Sequence, residues 1–169
     1  KTEGREIFLL LPHFMRKPAE GVEPTKDPNG WGLHKKVLPL KEGVNIVDVE
    51  IPTNAYIGYF TDDYKAAPKI EVTFVTGKVN GYFDLTRGDT NEDWDKLLDN
   101  AVSPIMDSRG KYIQVADPVE FFKKFTKNKG VELINAYDTL VGIQYKLMGL
   151  EKYNRIPKNR VFSRVNFNY

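Results

Sequence analysis

The spacing of apolar residues changes near Asp89, and this change constrains the fold more than any other feature of the chain. Before it, Val47, Val49 and Ile51 alternate with Ile46, Asp48 and Glu50, and Ile70, Val72 and Phe74 alternate with Glu71 and Thr73. A period of two places alternate side chains on one face of a pleated strand, so these stretches predict half-buried strands. Glu6 to Leu11, Ala55 to Phe60 and Val79 to Leu85 are three further strand candidates. Pro, Gly, Asn and Asp clusters such as Lys26-Asp27-Pro28-Asn29-Gly30 separate the candidates and mark turns. Short strands punctuated in this way predict an antiparallel, jelly-roll-like β-sandwich over residues 1–88.

After Asp89 the period becomes helical. Thr90 followed by Asp93 has the form of a capping box, and Trp94, Leu97, Leu98 and Ala101 recur at i, i+3, i+4 and i+7. A second helix start is expected at Asp117, as cap, with Pro118 in the first turn and Glu120 leading into Phe121, Phe122 and Phe125. The longest pattern runs from Val131 to Met148, with Ile134, Tyr137, Val141 and Met148 on one stripe and Gly149 as terminator. Arg160 to Tyr169 alternates again and reads as a strand. The expected class is therefore α+β, with a sandwich at 1–88 followed by a small helical region with one long helix at 89–169.

Chemistry is sparse in this chain. Its only histidines, His13 and His34, lie in separate loop-like segments, whereas a helical zinc site needs two imidazoles four residues apart with a carboxylate beside the first. Asp89, Asn91 and Asp93 imitate the start of a calcium loop, but Trp94 stands where that loop needs Gly and Asn100 where it needs a bidentate acid, so a helix cap is the better reading. Asp62-Asp63 reads first as a turn. There is no cysteine, no Ser or Lys nucleophile motif and no phosphate-binding glycine loop. No catalytic or metal-binding residue is assigned. With 25 basic and 23 acidic residues scattered along the chain, a net charge of +2 argues against nucleic acid as a partner. No apolar run approaches the ~20 residues of a membrane span. The chain starts at Lys1 with no signal-peptide pattern, so a removed leader or an excised segment is expected.

Aromatic residues supply the one positive lead, since flat rings can stack on the apolar faces of sugars. Trp31 lies in a Gly- and Pro-rich loop, and Tyr56 and Phe60 share one strand face; these three are the candidate carbohydrate-binding residues. Trp94, in phase with a helix, is assigned to the core.

The run Lys69-Ile70-Glu71-Val72-Thr73-Phe74-Val75-Thr76-Gly77, then Val79-Asn80-Gly81-Tyr82-Phe83-Asp84, then Asp93-Trp94 with Leu97 to Ala101, resembles the approach to the catalytic region of enhancin-like, mucin-degrading zinc metallopeptidases. An extended Gly110-Lys111-Tyr112-Ile113, a long helix ending in Leu147-Met148-Gly149-Leu150, Pro157 and Arg160-Val161-Phe162 follow in the family's order. The likeness covers most of 69–169 and, more loosely, Gly43 to Ile51. The family's His-Glu-x-x-His motif is absent from these residues, so no metal ligand or general base can be carried over. The resemblance implies the amino-terminal portion of a secreted or cell-surface bacterial peptidase acting on mucin-type or other host glycoproteins. It also implies zinc in the longer parent protein and packing against the parent's catalytic half. On the aromatic residues alone, a stand-alone glycan-binding module is the alternative.

Overall fold

The computed structural model describes residues 6–11, 36–49, 52–61, 63, 65–67 and 69–164. Contacts divide the chain after Lys78 into two compact units, the second of which is Val79–Val165. Mixed α/β structure, with one antiparallel sheet, one mixed sheet and three helices, is what the described residues form. None of these helices is long and apolar enough to cross a membrane.

In the first unit β1 (Ile7–Leu11) lies between β2 (Lys36–Leu40) and β3 (Tyr56–Tyr59), antiparallel to both. Alternation sets its faces: Ile7, Leu9 and Leu11 are buried, and the register brings Leu38, Leu40, Ile57 and Tyr59 to the same side. β1 and β3 lie within the strand candidates Glu6 to Leu11 and Ala55 to Phe60. β2 was not anticipated, because Pro39 interrupts it. Opposite Phe8, Pro39 is tolerated because β2 is the edge strand of this sheet among the described residues, with no further neighbour there to need its missing N–H.

Two expected strands do not form among the described residues. Residues 44–49 and 69–74 join no ladder among the described residues; Val47 and Ile70 are half-buried, but Ile46 is 96% and Phe74 63% exposed. Alternation supplies an apolar face, but only a partner edge makes a strand, and none is offered among the described residues. The second sheet of a sandwich is likewise not among the described residues of this unit.

The second unit holds a four-stranded sheet in the order β4 (Tyr82–Asp84), β5 (Ile105–Arg109), β6 (Ile113–Pro118), β7 (Val161–Arg164). Its outer pairs are parallel and its central pair antiparallel. Helices α1 (Asn91–Asp99), α2 (Val119–Phe125) and α3 (Gly130–Leu147) supply the rest. The core gathers Phe83, Met106, Ile113 and Val115 from the sheet with Trp94, Leu98, Phe122, Ile134, Val141 and Tyr145 from the helices. Trp94 is its hub: its ring meets Phe83 edge-on at 5.1 Å and Phe122 at 4.8 Å, and Nε1 donates to the Thr126 carbonyl at 2.9 Å. Pairing aromatic edges with faces and giving the indole N–H an acceptor is what makes a fully buried Trp favourable.

Two of the anticipated helix features differ in detail, the cap of α2 and the stripe of α3. Thr90 caps α1 with the full capping box, as its spacing predicts. α2, however, has Pro118 at its N-cap and no side-chain cap; Asp117 belongs to β6 and is buried there. On α3, Ile134 and Val141 are buried, Tyr137 is half-buried and Met148 is exposed, while Tyr145 turns inward instead. Gly149 ends the helix in the left-handed region, at φ 70°.

Candidate functional site

The outer face of β1 and β3 carries Phe8, Leu10 and Tyr56, the residues out of phase with the buried stripe. Phe8 is paired with Gly58, and its ring occupies the space where a Cβ at that position would stand. This cross-strand cover of a glycine by an aromatic ring holds Phe8 flat against the sheet. Phe60, 77% exposed, sits at 5.5 Å from Phe8 with the two rings inclined by 35°. Tyr56 is half-buried, and its hydroxyl accepts from Asn54 Nδ2 at 3.4 Å. The structure thus places Tyr56 and Phe60 on one side of one sheet. It adds Phe8, which sequence reasoning missed because an aromatic within an apolar run looks like core. Trp31 lies outside the described residues, as do His13 and His34.

Two shallow concavities open on the second unit. One, of about 430 Å³, is lined by Asn80, Arg87, Asp89, Asp93, Lys96 and Asn100 among others. Its acids are engaged. Arg87 grips Asp89 with two hydrogen bonds, Nε to Oδ1 at 2.9 Å and Nη2 to Oδ2 at 2.6 Å, and the Asp84 N–H donates to the same carboxylate at 2.8 Å. The Arg87 hydrogen bond, opposed by partial burial, holds the Asp89 carboxyl below the usual range and raises the guanidinium. Asp93 is lowered too, chiefly by the Thr90 N–H and then by its hydroxyl. The triplet Asp89, Asn91 and Asp93 therefore serves caps and turns. Asn91 accepts from the Val131 N–H at 2.8 Å and donates to Glu132 at 2.9 Å, bracing the start of α3.

The other concavity, of about 410 Å³, lies between the β5–β6 turn and α3 and is lined by Thr86, Lys111, Tyr112, Asn135, Asp138 and Thr139 among others. Asp138 accepts the backbone N–H groups of Lys111, Tyr112 and Ile113 at 2.6, 2.7 and 3.2 Å. Arg160 Nε donates to the Gly110 carbonyl at 2.6 Å from the other side. A carboxylate that accepts from three successive backbone donors is a turn clamp.

Among the described residues no three His, Cys, Asp or Glu side chains are placed so that they could hold a metal ion. The described residues therefore offer no set of three protein ligands such as a catalytic zinc takes. Asp63, read as a turn residue, accepts from the Lys65 and Ala66 N–H groups at 2.9 and 3.3 Å and makes that turn.

Residues 81–169 match the family model of peptidase M60, enhancin and enhancin-like. A solved metallopeptidase from Bacteroides thetaiotaomicron superposes with a TM-score of 0.67 at 24% identity, over 96% of this chain and 27% of that one. A metallopeptidase solved in complex with Tn antigen gives the same score and identity, over 96% of this chain and 29% of its own. At this identity the likeness is one of fold, and this chain spans under a third of either protein. No curated protein matches.

Proposed function

We propose that this chain, which belongs to the peptidase M60, enhancin and enhancin-like family, is the non-catalytic amino-terminal portion of a secreted or cell-surface bacterial peptidase that acts on mucin-type or other host glycoproteins. One observation carries the reading: the family model covers 81–169, while no cluster of metal-binding side chains stands among the described residues. Peptide hydrolysis in a metallopeptidase needs such a cluster. In this proposal zinc and the general base belong to the remaining catalytic half of the parent chain, and this portion supplies a scaffold beside them. The complex of one similar structure with Tn antigen supports a glycoprotein substrate.

Zinc content and mucin hydrolysis, measured on the parent peptidase and on this chain alone, test the proposal. The parent is expected to hold stoichiometric zinc and to cut mucin, and the isolated chain to do neither. Stoichiometric zinc together with cleavage by the 169-residue chain would overturn it.

The exposed ring of Phe60 beside Phe8 favours a second reading, a glycan-binding β-sandwich module in residues 1–88 with Trp31, Tyr56 and Phe60 as the platform. Stacking of a sugar on such rings is worth of the order of 1 kcal/mol per ring, so Phe60→Ala should weaken a positive signal on a glycan array by about fivefold. An unchanged array would remove this reading.

A further inference from the structure

We infer that Asn80-Gly81 is a site of self-modification, at which asparagine turns into aspartate and isoaspartate without an enzyme, and that a hydrogen-bonded clasp in the second unit sets its rate. A labile dipeptide is held here by the very amide that would react.

The chemistry follows from the two residues. The Gly81 N–H gives its proton to hydroxide, and the nitrogen attacks Asn80 Cγ. A bond forms between that nitrogen and Cγ, the bond from Cγ to Nδ2 breaks, and ammonia leaves with a proton from water, closing a cyclic imide. Water then opens the ring. Cleavage at Cγ leaves aspartate, whereas cleavage at the main-chain carbonyl carbon leaves isoaspartate, in which the chain runs through the former side chain. Overall one water is consumed and one ammonia released, with no oxidation or reduction. Glycine at the second position favours the attack because no Cβ shields its nitrogen. Gly81 is exposed, and both residues line the concavity of about 430 Å³, so water reaches them.

The fold opposes the reaction. Asn80 stands two residues before β4. Its Oδ1 accepts from the N–H groups of Val102 and Ser103 at 3.0 and 3.1 Å, and its Nδ2 donates to the Ile105 carbonyl at 2.8 Å. These partners belong to the segment that leads from α1 into β5, and β5 pairs with β4 from Tyr82 opposite Asp107 onward. The amide thus continues through a side chain the pairing that the two strands make through their backbones. Bonds to three separate backbone groups fix both the position and the plane of the amide, while ring closure needs Cγ to swing onto the Gly81 nitrogen. The reaction therefore runs from an opened clasp, and its rate scales with the fraction of molecules in which the clasp is open. It also prevents reclosure. Aspartate has no N–H for the Ile105 carbonyl and sets a carboxylate oxygen against it, and isoaspartate adds a methylene to the backbone at the entry to β4. None of this depends on a catalytic half elsewhere.

Peptide mapping by mass spectrometry, on the 169-residue chain incubated in mildly alkaline buffer with and without guanidinium chloride, tests the site. The other Asn-Gly pair, Asn29-Gly30, lies outside the described residues and supplies a second reading in the same sample. In denaturant both pairs should gain the mass of deamidation at similar rates. In buffer Asn80 should react about tenfold or more slowly than in denaturant, as the loss of several hydrogen bonds on opening requires. Val102→Pro, which removes one donor to Oδ1, should speed the reaction in buffer by about threefold or more, with circular dichroism confirming the fold; where that variant does not fold, the parent's two rates decide. Asn80→Asp, the product itself, should lower the urea midpoint. Equal rates in buffer and denaturant overturn the clasp. A faster reaction in buffer does so too, since the Val102 and Ser103 N–H groups would then assist the attack as an oxyanion hole. An Asn80 that stays intact in denaturant while Asn29 reacts overturns the modification site itself, and a parent-like midpoint for Asn80→Asp overturns the loss on reclosure.

Discussion

A Cβ placed on Gly110 would collide with the Asp138 carboxylate, so the glycine and the acid form one device. The side chain absent at 110 is the space through which Asp138 reaches the N–H groups of Lys111, Tyr112 and Ile113. Asp138→Ala leaves those donors without their acceptor and should cost about 1–3 kcal/mol of stability in urea denaturation. Gly110→Ala should cost a similar amount, by driving the carboxylate off the turn. The two changes should be strongly non-additive, because once the carboxylate is gone a methyl group at 110 has room. Strict additivity in the double variant would show that the two positions do not share this space.

Caps decide how the helices start, and each of the three does so differently. α1 is closed by its own sequence: Thr90 Oγ1 accepts from the Asp93 N–H at 3.3 Å, and Asp93 accepts from the Thr90 N–H at 2.9 Å. α2 starts at Pro118 without a side-chain cap, and α3 takes its brace from Asn91, on the first turn of α1. Thr90→Ala should therefore cost about 0.5–2 kcal/mol. The box also titrates. Because Asp93 is held below the ordinary carboxylate range in the folded protein, its contribution is fully present above the unfolded value of about 4 and is lost as pH falls through the lower folded one. Stability measured from pH 7 down to pH 2 should show a shallower acid loss for Asp93→Asn than for the parent. Parallel curves would mean that the box contributes nothing through its charge.

On the scale of the whole molecule, the second unit is organised around one indole. Trp94 receives Phe83 from the sheet, Phe122 from α2 and the close approach of Gly130 at the start of α3. Trp94→Ala should cost about 3–5 kcal/mol, a large part of the 5–15 kcal/mol by which a domain is stable. Limited proteolysis of that variant should produce new cuts within 79–165. Trp94→Phe keeps the ring contacts but loses the indole hydrogen bond to the Thr126 carbonyl, which retains the Lys129 N–H, so it should fall between the two. A variant as resistant as the parent would remove Trp94 from the centre of this account.

Local periodicity and local capping were legible along the chain: β1, β3, the Thr90 box, the long helix, its Gly149 stop and the core role of Trp94 all depend on neighbours a few residues away. What depends on distant partners was not. β5, with Asp107 and Ser108 buried, breaks alternation because both its faces are covered, and Asp107 is satisfied by Gln114 of β6 at 2.7 Å. The alternating stretches near Ile46 and Phe74 had the pattern of strands and find no edge to pair with among the described residues. The candidate site divided in the same way: Tyr56 and Phe60 could be placed on one face by counting, whereas Phe8 joins them only through the register that sets it over Gly58. By itself the sequence determined which side chains can share a face, since that follows from a fixed rise and rotation per residue. Only tertiary structure decided which faces find partners, because pairing and burial belong to residues far apart in the chain.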